Sequence, residues 1–156
     1  MGIKKIHKCC LKTIETRDVG DLFKFLCLKA TEILRVDVIK IVVSENTFSN
    51  SNIENCILKS NEEIIKFAQK IGMAKGKIVR LTNVVHDKKK EAEQLITRQE
   101  NTKSEAIISL LVNNEFKGFL FFESVDESTF SVDQSTDYLE FFAQIISKHL
   151  ESLLYK

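Results

Sequence analysis

The sequence lacks any marked excess of positive or negative charge. It contains 23 lysines and arginines against 22 aspartates and glutamates, and its formal net charge at pH 7 is +1. Domains that bind nucleic acid usually carry a basic face that attracts phosphates. The balanced charge therefore disfavours nucleic acid as a partner.

Long apolar segments are also missing. No run approaches the roughly 20 apolar residues that span a bilayer. The N-terminal MGIKKIHKCC lacks the apolar core and the small-residue cleavage site of a secretory signal peptide. Gly2 would suit myristoylation, but Ile6 stands where that motif needs Ser or Thr. We therefore expect a cytoplasmic protein without a membrane partner.

The four cysteines form no metal-binding or redox motif. Cys9 and Cys10 are adjacent, Cys27 and Cys56 are isolated, and neither a CxxC pair nor a matching histidine spacing occurs. The three histidines are scattered and do not combine with a nucleophile in any recognisable spacing. We therefore predict no metal site, no cofactor and no catalytic residue, with the thiols buried as small apolar groups.

Residues 104 to 124 have the pattern of a hairpin of two buried strands. In the first strand one face carries Ala106, Ile108, Leu110 and Val112, and the other carries Ile107, Ser109 and Leu111. Asn113 and Asn114 are suited to the positive φ of a tight turn. The return strand contains the run Phe119 to Phe122, and Gly118 indicates a bulge or a close backbone approach. Both strands therefore belong in the centre of a sheet.

A long amphipathic helix follows the hairpin. Ser131 and Gln134 have the spacing of a capping box at its start. Its apolar positions recur at steps of three and four residues and are Tyr138, Leu139, Phe142, Ile145, Ile146, Leu150, Leu153 and Leu154. Phe141 widens this band. One edge is expected to pack on the sheet and the other to meet a second subunit.

The remaining segments complete an α+β pattern within one predicted domain of residues 1–156. A helical stripe covers residues 3–14, and a second helix capped by Asp18 runs to Leu34. Strands are predicted at 36–43, 53–59 and 77–82, with a short helix at 61–71 capped by Asn61. Residues 85–102 are polar and have no clear period.

Three segments carry a resemblance to a known family. They are IHKCCLKTIETRDVGDLFKFLCLKATEILRVDVIKIVV, TKSEAIISLLV and GFLFFESVDESTFSVDQSTDYLEFFAQIISKHL. Together they resemble a GAF domain and, within that superfamily, the proteobacterial domain-of-unknown-function family four-eighty-four. The polar positions of its pattern fall on Ser124, Asp126, Phe130 and the run Ser135, Thr136 and Asp137, with Ser135 in place of the family's Gly.

The resemblance implies a central antiparallel sheet of five or six strands. The N- and C-terminal helices would cover one face, and the short helix and loops would enclose a small-molecule pocket on the other. The polar strand positions toward that pocket are Lys40, Arg80 and Ser109, with Glu123 near a strand end. An anionic or carbonyl-bearing ligand would suit them. Alternatively, Lys40 and Arg80 extend to solvent and Ser109 binds a nearby carbonyl.

Three functional hypotheses follow. The first is a non-catalytic small-molecule sensing or regulatory module of a signalling protein, with Lys40, Arg80, Ser109 and Glu123 as ligand-binding residues. The second is a structural dimerisation module whose pocket is filled by Phe119 and Phe121. The third is a cysteine-dependent reductase of free methionine sulfoxide, since such enzymes have a GAF fold. In each case we expect a homodimer through the N- and C-terminal helices.

Overall fold

The computed structural model describes residues 2–48, 53–73, 77–88, 90–132 and 135–155. The helices are α1 (Ile3–Ile14), α2 (Val19–Lys24), α3 (Ala30–Leu34), α4 (Asn61–Lys70) and α5 (Asp137–Leu154). The strands are β1 (Val38–Ser44), β2 (Cys56–Lys59), β3 (Val79–Asn83), β4 (Ser104–Val112) and β5 (Glu115–Ser124). Single 3₁₀ turns at Val84–His86 and Glu91–Gln94 lie between β3 and β4.

The five strands form one sheet in the order β2-β1-β5-β4-β3. The pairs β1–β5, β4–β5 and β3–β4 are antiparallel, as the sequence predicts. The pair β1–β2 is parallel, with Ile41 opposite Cys56 and Ser44 opposite Lys59, so the sheet is mixed. A parallel pair needs a crossover rather than a tight hairpin, and the alternation of apolar residues within each strand does not report strand direction. The predicted α+β architecture is confirmed, with this one difference in pairing.

The β4–β5 hairpin follows the prediction closely. Asn113 and Asn114 have φ values of 52° and 65°, which is the backbone conformation that asparagine tolerates in a tight turn. Gly118 marks a close approach of β5 to β1, because a Cβ atom there would lie 2.3 Å from the carbonyl oxygen of Val42. The register shifts between Leu110 and Leu111, which is the bulge in this hairpin.

One face of the sheet, called here the helical face, is covered by the terminal helices. Its core joins Ile6 of α1 and Phe142 of α5 to Ile39, Ile108 and Phe122 of the sheet. Phe122 lies with its ring centroid 6.3 Å from Phe130 and 6.4 Å from Phe142. The opposite face, called here the second face, carries α4 and a separate cluster of buried apolar residues. The sheet therefore separates two cores.

Two predicted helix boundaries are wrong in detail. The N-cap of α4 is Ser60, not Asn61, and Ser60 and Glu63 form a reciprocal capping box. Helix α5 begins at Asp137 with Thr136 as its N-cap and no side-chain cap, so Ser131 does not start it; Gln134 lies outside the described residues. The predicted helix capped by Asp18 has the predicted ends, since Asp18 caps α2 and α3 ends at Leu34, and a π-helical turn at Phe25–Lys29 connects α2 to α3.

Candidate functional site

An aromatic cluster fills the space between α4 and the second face. The ring centroid of Phe67, on α4, lies 5.3 Å from that of Phe119 and 6.1 Å from that of Phe121. Phe116 stacks on Phe119 at 6.1 Å. Ile64 and Met73, both fully buried, complete the packing. Aromatic pairs at these separations pack as a solid core, so this half of the second face is occupied by the chain's own side chains.

A buried ion pair lies at the other end of the same face. The ammonium of Lys40 is 2.8 Å from Oε2 of Glu123, and Lys40 also donates a hydrogen bond to the carbonyl of Thr97. Oε1 of Glu123 accepts from the backbone N–H of Gln99 at 2.7 Å and from the hydroxyl of Thr102 at 2.9 Å. Glu123 is completely buried. The segment around residues 97–102 therefore covers both charged groups and hydrogen-bonds to them directly.

A second ion pair lies beside the first. Glu105, which is directly opposite Glu123 on the neighbouring strand, accepts two hydrogen bonds from Arg98 at 3.2 and 3.0 Å. Arg98 also donates to Asp87 at 2.8 Å. Two like charges on adjacent strands would repel each other if they stood alone. Lys40 and Arg98 compensate them, so Lys40, Asp87, Arg98, Glu105 and Glu123 form one group, called here the charged cluster.

Burial and charge act in opposite directions on the pKa values of this cluster. Burial raises the pKa of Glu105 above its ordinary value, and the hydrogen bonds and charge of Arg98 offset only part of that rise. Burial alone would lower the pKa of Arg98, but Glu105 first and Asp87 second outweigh it and raise the pKa. Arg98 therefore stays charged, and Glu105 depends on it to be ionised at low cost.

The structure places all four predicted site residues on the second face but joins only two of them. Lys40 and Glu123 form the ion pair already described. Arg80 donates to the carbonyl of Ile71 at 3.1 Å and to Glu91 at 3.2 Å. The hydroxyl of Ser109 lies 3.5 Å from the carbonyl of Lys77, which is a weak contact. Each of the four side chains therefore has a partner within the chain.

Sequence reasoning missed Glu105 and Arg98. Glu105 lies in a segment recognised as a buried strand, two residues before Ile107 on the same face, so alternation alone places its carboxylate in the interior. A buried carboxylate requires a cationic partner. The strand pattern therefore predicts a buried carboxylate at Glu105. It does not predict that Arg98 is the partner, because Arg98 lies in residues 85–102, where no periodic pattern fixes the side-chain direction.

The cysteine side chains are placed for packing. Cys9, Cys10 and Cys27 are buried in the core of the helical face. Burial raises the pKa of the Cys9 thiol to about 12 and that of the Cys27 thiol to about 12, and it also raises the pKa of Cys10. These thiols are protonated at neutral pH and are weak nucleophiles. Within the described ranges, no group of three or more His, Cys, Asp or Glu side chains is arranged to hold a metal ion.

Open grooves lie beside α4 on the second face and beside α5 on the helical side of the sheet. A groove of about 320 Å³ borders α4 and is lined by Glu63, Lys66, Phe67, Lys70 and Leu95. A larger groove of about 430 Å³ lies between α5 and the sheet, and its lining includes Ser109, Leu111 and Phe141. Neither groove reaches Lys40 or Glu123. Of the predicted residues only Ser109 borders one of these two spaces.

The fold has clear counterparts among solved structures. The GAF domain of an Acinetobacter phosphoenolpyruvate-protein phosphotransferase superposes with a TM-score of 0.60 and 13% identity, over 97% of this chain and 91% of that chain. The PixJ GAF domain of Thermosynechococcus elongatus, in its blue-light absorbing form, superposes with a TM-score of 0.56 and 13% identity, over 93% and 90%. Reduced fRMsr of Staphylococcus aureus superposes with a TM-score of 0.56 and 16% identity, over 93% of this chain and 94% of that chain. At these identities the likeness establishes the fold.

No curated protein sequence matches this chain. In the part of the chain that the structure describes, no helix is both long enough and apolar enough to cross a membrane. The pattern of the family described as "Protein of unknown function, DUF484" matches residues 69–154, from the end of α4 to the end of α5. The match takes in the charged cluster except Lys40, and on this evidence the chain belongs to the DUF484 family and has the GAF fold.

Proposed function

We propose that this chain is a non-catalytic regulatory module of the GAF type whose second face is closed by its own side chains. The observation that carries the proposal is that the side chains at the centre of that face pack and pair with one another. Phe67, Phe119 and Phe121 pack against one another under α4, and Lys40 and Glu123 pair beyond them. Such a module acts through its outer surface rather than by holding a metabolite at its centre.

Lys40 makes with the chain itself the contacts that the sequence predicts it would make with a ligand. The sequence predicted that Lys40 would meet an anion or a carbonyl group, and here it meets the Glu123 carboxylate and the Thr97 carbonyl. The Gln99 N–H likewise supplies the donor that Glu123 needs. The chain itself therefore supplies the acceptor and the donor, and a free ligand has no unpaired partner there.

Mass spectrometry of the natively purified protein, combined with the variant Lys40→Met, tests this proposal. We expect no retained small molecule. Lys40→Met should destabilise the fold by about 3 to 5 kcal/mol, because it leaves Glu123 buried without its cation. The matched variant Arg80→Met should cost less, since Arg80 is more exposed and Glu91 is less deeply buried. A retained metabolite that Lys40→Met loses without a fall in melting temperature would refute the proposal.

Small-molecule sensing is the second candidate, and one observation favours it. The cover over Lys40 and Glu123 contributes hydrogen bonds from the backbone at Thr97 and Gln99 as well as the Thr102 hydroxyl. A small molecule that carries both an acceptor and a donor would replace those backbone bonds if the segment moved away. Retention of such a molecule in the mass spectrum would select this candidate.

A cysteine-dependent reductase is the third candidate and has the least support. One structural neighbour is fRMsr of Staphylococcus aureus, but the buried thiols of Cys9 and Cys27 have pKa values raised to about 12. Reduction of a sulfoxide by cysteine needs an accessible thiolate. Turnover of free methionine sulfoxide that is lost in Cys56→Ser would select this candidate over the other two.

The regulatory proposal includes pairing of two copies through the outer side of the helices that cover the helical face. Tyr138 and Phe141 on α5 are each 46% exposed. Because α1 is rich in lysine, contact between two copies of α1 would be repulsive, so the pairing is centred on α5. A stable pair would bury about 1,200 to 2,000 Å². Sedimentation equilibrium should give a dimer that Tyr138→Ser with Phe141→Ser converts to a monomer; a wild-type monomer at micromolar concentration excludes the pairing.

A further inference from the structure

The outer surface of α1 carries two parallel rows of side chains. Lys4, Lys8 and Lys12 recur every four residues and are exposed. At 3.6 residues per turn such positions form one line along the helix. Each lysine is preceded by one residue of a second line, Ile3, His7 and Leu11, which is also exposed. A basic row and a mainly apolar row therefore lie side by side on the surface.

The basic row concentrates positive charge on one helix of a chain whose total positive and negative charges nearly cancel. Helix α1 contains Lys4, Lys5, Lys8 and Lys12 and no acidic residue, although the chain has a net charge of only +1. The rest of the chain is therefore net acidic. Among the described residues, the only carboxylate within ion-pair distance of these lysines is Glu15, 4.0 Å from Lys12, and both of those side chains are largely exposed. An exposed pair of this kind neutralises little charge.

The apolar row is unusually exposed for side chains of its size. Leu11 is 61% exposed, Ile14, one turn further on, is 55% exposed, and Ile3 is 45% exposed. The apolar side of α1 that supports the fold is a different one and consists of Ile6, Cys9, Cys10 and Thr13. The exposed row therefore contributes nothing to the core and is available to a partner.

We infer that the outer surface of α1 binds the surface of an anionic lipid bilayer. Lysines beside a short apolar row are the composition of helices that lie in the headgroup region, where the cations meet anionic lipids and the apolar groups enter the acyl boundary. A protein partner fits less well, because lysine is depleted at protein interfaces while arginine and aromatic residues are enriched. Nucleic acid fits less well because two of the three residues of the adjacent row, Ile3 and Leu11, are aliphatic and offer neither stacking nor hydrogen bonds to bases.

This inference departs from the expectation of no membrane partner and is independent of the proposed function. That expectation rested on the lack of a spanning segment, a signal peptide and a myristoylation motif, and a helix that lies on the bilayer needs none of these. Helix α1 is held against the body of the protein by its buried side. Its outer surface can therefore contact a flat bilayer without any change in the fold.

Sedimentation with lipid vesicles tests the inference. The protein should bind vesicles of equal parts phosphatidylcholine and phosphatidylglycerol, should bind pure phosphatidylcholine weakly, and should lose binding as salt is raised. The variant Lys4→Gln with Lys8→Gln should weaken binding by about 30-fold, because each charge removed costs between about five-fold and six-fold. Leu11→Ser should weaken it by roughly ten-fold, because one apolar side chain no longer enters the bilayer.

The matched control is Lys66→Gln with Lys70→Gln on α4. These lysines are also exposed and four residues apart, but they lie on the second-face side of the protein. The control should bind vesicles within about two-fold of wild type. Equal losses in the two double variants, or no binding to anionic vesicles, would overturn the inference. Duplex DNA bound as tightly as anionic vesicles, with no effect of Leu11→Ser on either, would replace the bilayer with a soluble polyanion.

Discussion

The two faces of the sheet are held by different forces. The helical face is covered by α1, α2 and α5 and joined by apolar contacts, with Phe122 between Phe130 and Phe142. The second face has an aromatic half under α4 and a charged half under residues 84–88 and 90–103. Both fully buried acidic side chains among the described residues, Glu105 and Glu123, lie on that face. The first core needs only volume and pattern, whereas the second also needs specific partners.

The two faces respond differently to the loss of a side chain. Apolar packing is adjustable, because neighbouring side chains relax into part of a cavity. A buried carboxylate that loses its cation has no such recourse, because the uncompensated charge remains in a medium of low polarity. The second face is thus the more easily switched of the two, by a change of charge rather than of volume.

Among the apolar side chains, the largest effect is expected at Phe122. Phe122→Ala should destabilise the protein by about 4 kcal/mol, since it removes a fully buried ring that contacts both Phe130 and Phe142. Phe121→Ala, one residue earlier on the same strand, opens the equivalent space on the second face, next to Phe67. Urea unfolding measures both losses. A small aromatic probe such as indole should raise the melting temperature of Phe121→Ala only if the aromatic half of the second face can hold a ligand.

The next largest effect is expected at Arg98. Arg98→Met keeps much of the stem but leaves Glu105 buried without its cation, and should cost about 3 kcal/mol near neutral pH. Adding Glu105→Gln to this variant should recover part of the loss, because an amide is cheaper to bury than a charge. Urea midpoints of the three proteins supply the comparison. A loss below about 1 kcal/mol for Arg98→Met would mean that Asp87 and Glu105 do not depend on it.

The pH dependence of that variant follows from the direction of the Glu105 pKa. Because burial raises this pKa in the folded state, the bound proton stabilises the fold fully below the ordinary value of 4.5, and this contribution is lost as pH rises through the raised pKa. Without Arg98 the folded-state pKa rises further. The gap between wild type and Arg98→Met should therefore narrow as pH falls toward 4.5 and below. A gap that is constant with pH would contradict the assigned role of Glu105.

The sequence predicts the helical face better than the second one, for a physical reason. The hairpin β4–β5, its Asn113–Asn114 turn and the close approach at Gly118 follow from local alternation and backbone preference. Alternation also places Lys40 and Glu123 on one face. Their pairing with each other and with residues 97–102 depends on contacts distant in sequence. Charge partners across such distances leave no periodic signal.

An intermediate effect is expected in the sheet that both faces share. Gly118→Ala would place a Cβ atom 2.3 Å from the Val42 carbonyl and 3.1 Å from the Val43 Cα, so the β1–β5 pair must separate. The cost should be about 1 to 3 kcal/mol. The matched control is Gly20→Ala in α2, where the new Cβ meets only the Asp18 carboxylate at 3.4 Å. That control should stabilise the protein by about 0.5 to 1 kcal/mol. Thermal melts that show equal shifts for both variants would remove the packing argument at Gly118.

The smallest effect is expected at the caps of the helices that cover the two faces. Ser60 accepts a hydrogen bond from the N–H of Glu63 at the start of α4, and Asp18 accepts one from the N–H of Asp21 at the start of α2. Ser60→Ala and Asp18→Ala should each cost about 1 kcal/mol. Amide hydrogen exchange shows where each variant loosens the fold. Ser60→Ala should reduce protection in α4 and leave α2 unchanged, and Asp18→Ala should reduce protection in α2 and leave α4 unchanged. If either variant reduced protection equally on both sides of the sheet, the two cores would unfold as one cooperative unit, and the charged cluster would not provide an independent switch.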